Sequence, residues 1–176
     1  MNNNVAIITA QNFQDEEHIY PYYRFLEAGF NVDVATKDKT PVFGKYGVPA
    51  RPNISTSELD PDKYDAVFLP GGFEAPDRVR LLEEVLEFVR VMDKQNKLIA
   101  AICHGPWILI SAGITKGRKM TAFWSIEADV RNSGADYHHN VPVVVDGNLI
   151  TSPHYNNNAD FMREVISYLE NKKLNK

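Results

Sequence analysis

A single cysteine lies between a short apolar run and a Gly-Pro turn, and this stretch constrains the fold more than any other. The run at 98–102 is short and wholly apolar, which is typical of a strand buried on both faces of a sheet. The four residues at 103–106 read Cys-His-Gly-Pro, and a second apolar run at 107–110 predicts a helix. We therefore predict a nucleophile elbow, a tight turn that lifts the Cys103 side chain above the sheet.

The elbow places Cys103 at the N-terminus of the predicted helix. Unpaired N–H groups and the helix dipole favour a thiolate there, so we expect the pKa of Cys103 to be lowered. A buried structural cysteine is the alternative, but the order of strand, turn and helix favours the nucleophile. His104 is a candidate base, although an elbow points neighbouring side chains apart, so a triad would need an acidic residue from elsewhere.

Composition narrows the class of protein. With 176 residues, 44% of them hydrophobic, we expect one domain at 1–170, followed by a polar C-terminal tail at 171–176. The net charge of −4 provides no basic surface for nucleic acid. We find no signal peptide and no run long enough for a membrane helix. One cysteine cannot form an internal disulfide, which fits a reducing cytoplasm.

Short apolar strands alternate with helices along the chain. The predicted strands of the first part lie at 5–10, 31–36, 65–70 and 98–102, with helices at 15–28 and 80–96 between them. After a possible hairpin excursion at 37–61, the later elements are a strand at 119–122, a short helix capped by Ser125, a hairpin at 141–152 and a final helix from near Asp160. This alternation predicts an α/β fold with a mostly parallel sheet and helices on both faces.

Ligands of such sheets gather outside the carboxyl ends of the strands, which brings the segments after several strands to one edge. There the backbone N–H groups of Gly72 and His104 could form an oxyanion hole. Glu17, one turn inside the first helix, could hydrogen-bond the Cys103 sulfur and tune its ionisation. The alternatives are a plain tight turn at Gly72 and a solvated acidic residue at Glu17.

The combination of these motifs resembles the ThiJ/PfpI family, and in particular its PfpI-type intracellular peptidase branch. The resemblance covers nearly the whole chain and is carried by Asn12-Phe13-x-Asp15-x-Glu17, Leu69-Pro70-Gly71-Gly72, Ala75-Pro76-Asp77-Arg78-Val79-Arg80, Ala101-Ile102-Cys103-His104-Gly105-Pro106 and Gly117-Arg118-Lys119. It implies a flavodoxin-like three-layer α/β sandwich related to class I glutamine amidotransferase domains. It also implies a homodimer, often built into a hexamer, and we expect no metal and no organic cofactor.

The resemblance also implies roles for individual residues. Cys103 would be the nucleophile, Glu17 the carboxyl that holds its sulfur, and His104 the neighbouring base. The acidic partner of that histidine comes from the adjacent subunit in the peptidase branch, and here it would be Asp77. Glu74 lies near and is the alternative.

Departures from the family pattern at three places in the chain change the predicted pocket. Gln14 replaces a glutamate, Phe123 replaces a tyrosine or histidine beside the nucleophile, and Trp124 replaces a proline. The loop at 151–158 lacks the family's arginine and paired acids, so we predict a more aromatic, less charged pocket. We hypothesise that His154 reaches toward Cys103 and supplies a lost polar group, the alternative being an exposed loop histidine. We interpret the histidine pair at 138–139 as part of a loop rather than as metal ligands.

Two classes of function remain open. The first is an enzyme in which Cys103 adds to a carbonyl, for peptide or amide hydrolysis or for cofactor-independent glyoxalase or deglycase-type chemistry. Its partner would be a peptide or a small carbonyl compound. The second is a non-enzymatic stress protein that uses oxidation of Cys103 as a redox sensor, or binds clients as a chaperone.

Overall fold

Nine strands form two sheets in the computed structural model, which describes residues 2–174. The strands are β1 (Asn4–Ile8), β2 (Asn31–Thr36), β3 (Ile54–Ser55), β4 (Ala66–Leu69), β5 (Leu98–Ile102), β6 (Lys119–Met120), β7 (Asp136–Tyr137), β8 (Val144–Asp146) and β9 (Leu149–Ser152). Seven of them form the central sheet in the order β3-β2-β1-β4-β5-β9-β8. All neighbours in this sheet are parallel except β8 and β9, which form a hairpin. Strands β6 and β7 make a separate parallel pair.

Six helices cover the two faces of the central sheet. They are α1 (Asp15–Glu27), α2 (Glu74–Val79), α3 (Glu83–Lys94), α4 (Pro106–Ala112), α5 (Glu127–Asn132) and α6 (Asn158–Leu174). Buried apolar side chains of α1 and α6 belong to one core, and those of α3, α4 and α5, with Val79 of α2, belong to another. The result is the three-layer α/β sandwich that the sequence predicted. Within residues 2–174, no helix is long and apolar enough to cross a membrane.

The strand sequences explain why both faces are covered. Along β1, Val5 and Ile7 point into the core with α1 and α6, whereas Ala6 and Ile8 point into the opposite core. Successive side chains of a strand alternate between faces, so a strand buried on both sides must be apolar throughout. The same holds for β5, whose five residues are all buried.

The strand order opens a crevice at one edge of the sheet. From β1 the chain moves outward to β2 and β3, whereas from β4 it moves the other way to β5 and later to β9. The connections that leave β1 and β4 therefore diverge, and a ligand site is expected between them at the carboxyl ends of the strands. Cys103 follows β5 directly at this same edge.

The largest differences from the sequence predictions lie in short elements. Strand β3 at Ile54–Ser55 and helix α2 were not predicted, because two residues and six residues carry too little periodicity to be recognised. The predicted hairpin excursion is present only in part, as a turn in which Gly44 N–H donates to the carbonyl of Val48 (2.8 Å). The strand predicted at 119–122 exists as β6, but it lies outside the central sheet.

Two predictions about helix ends are corrected. Ser125 does not cap α5, since it lies inside a 3-10 turn at 124–126 and Ile126 occupies the N-cap position. Helix α6 continues to Leu174 and so extends into the segment predicted as a polar tail, whose last two residues lie outside the described residues. Helix α1 contains Pro21 in its interior.

Phe68 of β4 anchors the core beneath α1 and α6. Its side chain is fully buried, and its ring centroid lies 5.9 Å from that of Phe25 and 5.7 Å from that of Phe161. We expect Phe68→Ala to lower the free energy of unfolding by about 3–5 kcal/mol, because it removes a buried ring and leaves a cavity. Urea denaturation at one fixed protein concentration measures the change.

The control is Leu81→Ala, since the Leu81 side chain is 78% exposed. This change should leave the free energy of unfolding within about 0.5 kcal/mol of the parent value. Equal effects of the two substitutions would contradict the packing described for Phe68.

Candidate active site

Cys103 lies on a sharp turn between β5 and α4. Its φ angle is +61°, in the left-handed region that non-glycine residues avoid at a cost of about 1–2 kcal/mol. Two hydrogen bonds hold the turn: Cys103 N–H donates to the carbonyl of Ser152 (3.0 Å), and Phe123 N–H donates to the carbonyl of Cys103 (2.9 Å). The nucleophile elbow predicted from the sequence is therefore confirmed as a backbone geometry.

Two glycines after β4 let the backbone approach the thiol. A Cβ atom on Gly71 would lie 2.5 Å from both the Cβ of Cys103 and Oε2 of Glu17, so no larger residue fits there. Gly72 has a φ of +82°. The backbone N–H groups of Gly72 and His104 lie close enough to the Cys103 sulfur to favour its ionised form. These are the two donors that the sequence analysis assigned to an oxyanion hole, and an oxyanion on a carbon bound to this sulfur would form beside them.

Glu17 lies beneath the thiol and is fully buried. Its Oε2 accepts a hydrogen bond from Gly71 N–H (2.9 Å), and the carboxyl interacts with the side chain of Cys103. Its Oε1 has no partner at hydrogen-bond geometry among the described residues. Burial raises the pKa of Glu17 to about 8, because little water reaches the carboxylate. At neutral pH the carboxyl is therefore mostly protonated.

The thiol of Cys103 differs from the prediction. Burial raises its pKa most, and the negative charge that Glu17 acquires at higher pH raises it further, whereas the N–H groups of Gly72 and His104 only partly oppose this. The predicted lowering of the pKa was wrong because the elbow does not leave the sulfur in solvent: Cys103 is 6% exposed. At neutral pH the side chain is a thiol, which requires a base to become a nucleophile.

His104 supplies that base from the next position in the chain. Its Nδ1 lies 3.1 Å from the Cys103 sulfur, so the expectation that the elbow separates the two side chains was wrong. Burial lowers the pKa of His104 to about 4, so the imidazole is neutral and a ring nitrogen is free to accept, but it is a weaker base than an exposed imidazole. Its ring stacks on Phe123 with the centroids 5.0 Å apart.

Ser125 holds the other side of this imidazole. The Ser125 Oγ lies 3.2 Å from His104 Nε2, which is where a triad would place its orienting group. The sequence analysis assigned Ser125 to a helix cap and thereby missed it. The only signal was a hydroxyl in the segment that follows the strand at 119–122, which is too weak to identify a contact.

Neither acidic candidate contacts His104 in the part of the chain that the structure describes. Asp77 lies on α2 and is exposed. Glu74 accepts hydrogen bonds from Arg78 (2.6 Å) and from Asn12. A role for Asp77 from an adjacent subunit therefore stays a prediction.

These residues line a cavity of about 360 Å³ above the sheet edge. Its lining consists of Gln14, Glu17, Lys45, Tyr46, Gly72, Phe73, Cys103, His104, Phe123, Ser125, His154 and Tyr155. Three of the four predicted pocket residues, Gln14, Phe123 and His154, are among them. The fourth, Trp124, lines a neighbouring cavity of about 390 Å³ and stacks on Phe123 with the centroids 3.8 Å apart.

Lys45 and Tyr46 were not predicted as site residues, because the segment that carries them has no recognisable motif. Tertiary contacts place it: the carboxylate of Asp15 accepts hydrogen bonds from the N–H groups of Tyr46 and Val48, each at 3.0 Å. A single β-bridge between Phe13 and Gly44 fixes the same turn. The first turn of α1 thus holds the loop over the cavity.

His154 reaches the cavity but does not hydrogen-bond Cys103 within residues 2–174. Its Nδ1 accepts a hydrogen bond from Asn156 N–H (3.2 Å), and its ring stacks on Tyr155 with the centroids 3.9 Å apart. Burial lowers the pKa of His154, so its imidazole is a neutral wall of the cavity. A polar role of His154 toward the thiol therefore stays a prediction.

The histidine pair at 138–139 forms surface contacts with acidic residues. His138 lies 3.2 Å from Asp136, and His139 lies 3.0 Å from Glu127. Among the described residues, no cluster of three or more histidine, cysteine or acidic side chains is placed to hold a metal ion.

Comparison with known proteins identifies the family. The profile of the DJ-1/PfpI family matches residues 3–168. This chain belongs to the DJ-1/PfpI family. It is 42% identical to "Deglycase PfpI" of Pyrococcus furiosus over 166 residues, covering 94% of this chain and 99% of that protein. It is 33% identical to the "Putative cysteine protease YraA" of Bacillus subtilis, covering 97% of this chain and all of that protein.

A solved structure agrees with this membership. The fold superposes with a TM-score of 0.92 and 38% identity on a protein of Anabaena variabilis that contains DJ-1/ThiJ/PfpI-like and ferritin-like domains. The match covers 95% of this chain and 48% of that protein, so this chain spans about half of its length. The family resemblance and the flavodoxin-like fold that the sequence indicated are both confirmed.

Because the pKa of Glu17 is raised in the folded protein, the free energy of unfolding is expected to depend on pH. An unfolded Glu17 has a pKa near 4.5, whereas the folded one has a pKa of about 8. Between these values the folded state holds a proton that the unfolded state lacks, so Glu17 contributes stability below pH 4.5 that is lost as the pH rises to 8. We expect Glu17→Gln to gain stability relative to the parent protein by on the order of 3 kcal/mol between pH 5 and pH 8.

Urea denaturation of both proteins across this pH range measures the difference. Burial also lowers the pKa of His18 in α1, as it does that of His104, and the titration of both histidines is common to the two proteins and cancels. The same substitution at Glu87, whose side chain is exposed, is the control for the loss of a surface carboxylate. A flat difference for Glu17→Gln would show that the carboxyl is ionised in the folded protein at neutral pH.

Proposed function

We propose that this protein is a cysteine-dependent enzyme that acts on carbonyl compounds, with deglycase or glyoxalase-type chemistry as its main activity. The observation that carries the proposal is the 3.1 Å contact between the Cys103 sulfur and Nδ1 of a neutral His104, with two backbone N–H donors beside the sulfur. The relative from Pyrococcus furiosus is named a deglycase, which supports this class. Hydrolysis of peptides or amides is the second candidate, supported by the name of the Bacillus subtilis relative.

The first step follows from the geometry. The thiol proton of Cys103 passes to Nδ1 of His104 while the sulfur bonds to the carbonyl carbon of the substrate. The carbonyl oxygen becomes an oxyanion, which accepts hydrogen bonds from the N–H groups of Gly72 and His104. Protonation of this oxygen gives a hemithioacetal, and the protonated carboxyl of Glu17 lies at the sulfur throughout.

A 2-oxoaldehyde can continue from this adduct without a cofactor. Transfer of the hydrogen on the carbon that bears sulfur to the adjacent carbonyl carbon converts the hemithioacetal into a thioester. Water then releases a 2-hydroxy acid and the free thiol, so the net reaction adds one water molecule to the substrate. His104 and Glu17 are the groups placed to move protons in these steps.

The competing role as a redox sensor has less support. Oxidation by peroxide requires a thiolate that solvent can reach, whereas Cys103 is 6% exposed and burial raises its pKa. A general base beside the thiol is instead the arrangement of a nucleophilic enzyme. A chaperone-like role has no observation of its own in the site.

Substitution of the nucleophile and the base tests the proposal. Cys103→Ser and His104→Ala should each lower turnover of methylglyoxal to lactate by at least about 100-fold, because one removes the bond-forming atom and the other removes its base. Fluorogenic peptides tested in parallel separate the two candidate activities. Thermal denaturation checks that both variants fold.

His138→Ala is the matched control for the base, since His138 lies on the surface beside Asp136. Its turnover should equal that of the parent protein. Turnover retained by Cys103→Ser would rule out the proposed enzyme, and modification of Cys103 by peroxide without any turnover would support the redox sensor instead.

We also propose that the chain forms a homodimer or hexamer in the cytoplasm. Support comes from large apolar side chains that α1 exposes in the single chain: Ile19 is 40% exposed, Tyr23 is 56% exposed and Leu26 is 41% exposed. Light scattering should give at least twice the chain mass of 19.9 kDa. A monomer would exclude a role for Asp77 across a subunit interface.

A further inference from the structure

Lys45 is the cation of the catalytic cavity. It lies in the loop that Asp15 and the Phe13–Gly44 bridge hold over the site, and it lines the same cavity as Cys103. Its charge influences both Glu17 and His104, which places it within electrostatic range of the reacting groups. The mechanism described above gives this lysine no task.

The neighbours of Lys45 leave its charge without a counter-ion. Its Nζ donates to Oε1 of Gln14 (3.1 Å), which is a neutral amide, and it forms no ion pair among residues 2–174. The amide nitrogen of Gln14 in turn donates to Glu16 (2.6 Å), so the glutamine separates the ammonium from that carboxylate. The rings of Tyr46 and Phe73 lie 5.9 Å from Nζ.

One carboxyl group and two imidazoles that line the cavity with Lys45 are neutral near pH 7. Glu17 is mostly protonated, and the imidazoles of His104 and His154 are uncharged because burial lowers their pKa values. The negative charge of Glu16 also acts on Glu17 and His154, but Glu16 does not line the cavity. The ammonium group of Lys45 does line it, and without a counter-ion it attracts an anion.

We propose that Lys45 binds an anionic group of the substrate, so that Cys103 acts on carbonyl compounds that carry a carboxylate close to the reacting carbon. The assignment of a substrate rests on the proposed function, whereas the binding of an anion beside Cys103 does not. The two statements therefore need separate measurements.

Alkylation of Cys103 by a matched pair of reagents tests anion binding without any turnover. Iodoacetate and iodoacetamide form the same bond between sulfur and carbon and release the same iodide, but only iodoacetate carries a carboxylate. The ratio of their rate constants at pH 7 cancels every effect on the ionisation of the thiol. We expect this ratio to exceed that of 2-mercaptoethanol by at least about threefold and to fall in 1 M salt.

Three variants assign the effect to Lys45. Lys45→Met should lower the ratio by about threefold to tenfold, and Lys45→Arg should keep it. Gln14→Glu should also lower it, because it places a carboxylate against the ammonium group. Lys94→Met is the matched control and should leave the ratio unchanged. Lys94 is exposed at the end of α3, which precedes β5, and Cys103 follows the opposite end of that strand.

Aldehydes test the substrate class. Glyoxylate and glyoxal each add reversibly to the thiol, with the thiol proton passing to the carbonyl oxygen, and thereby protect Cys103 from iodoacetamide. We expect half-protection by glyoxylate at a concentration at least about threefold lower than by glyoxal, with the preference lost in Lys45→Met.

The outcomes separate this inference from the proposed function. An alkylation ratio that Lys45→Met leaves unchanged overturns the inference, whether or not the protein turns over methylglyoxal. A ratio that depends on Lys45 together with equal protection by the two aldehydes overturns the substrate class. A ratio that depends on Lys45 in a protein without turnover supports anion binding and removes the proposed enzyme.

Discussion

The close contact of the Glu17 carboxyl with the Cys103 thiol is the constraint on which the site depends. Two acidic groups lie together in a buried place, and burial favours the protonated form of each. The approach is possible only because Gly71 has no side chain between them. The pair therefore rests as two neutral groups, and activation of the sulfur falls to the neutral imidazole of His104.

The fold supplies this constraint through its strand order. Glu17 follows β1, the glycines follow β4, and Cys103 follows β5, so three neighbouring strands deliver three parts of one site. The crevice between the connections of β1 and β4 leaves room for the cavity above them. Membership of the DJ-1/PfpI family agrees with this arrangement, but the chemistry proposed here is argued from the distances and charges of this chain.

The distribution of charge in the cavity, like the nucleophile, indicates which molecules the site can bind. The group of Gln14 that accepts a hydrogen bond from Lys45 is a neutral amide. The ammonium group in the loop above the cavity is therefore without a counter-ion. Phe123 and His154 form a neutral aromatic wall opposite the thiol, with centroids 5.9 Å apart. The sequence predicts a more aromatic and less charged pocket. No motif in it indicated the cation that Lys45 contributes.

The sequence by itself determined the layered α/β fold and the nucleophile elbow, because hydrophobic periodicity and a Cys-His-Gly-Pro turn are local signals. It also placed Glu17 and Gly72 at the correct edge, since the carboxyl ends of parallel strands must meet. Only the tertiary structure decided the ionisation of Cys103, since burial depends on every neighbouring element. The same holds for Ser125 and Lys45, whose contacts with His104 and Gln14 join residues 21 and 31 positions apart in the chain.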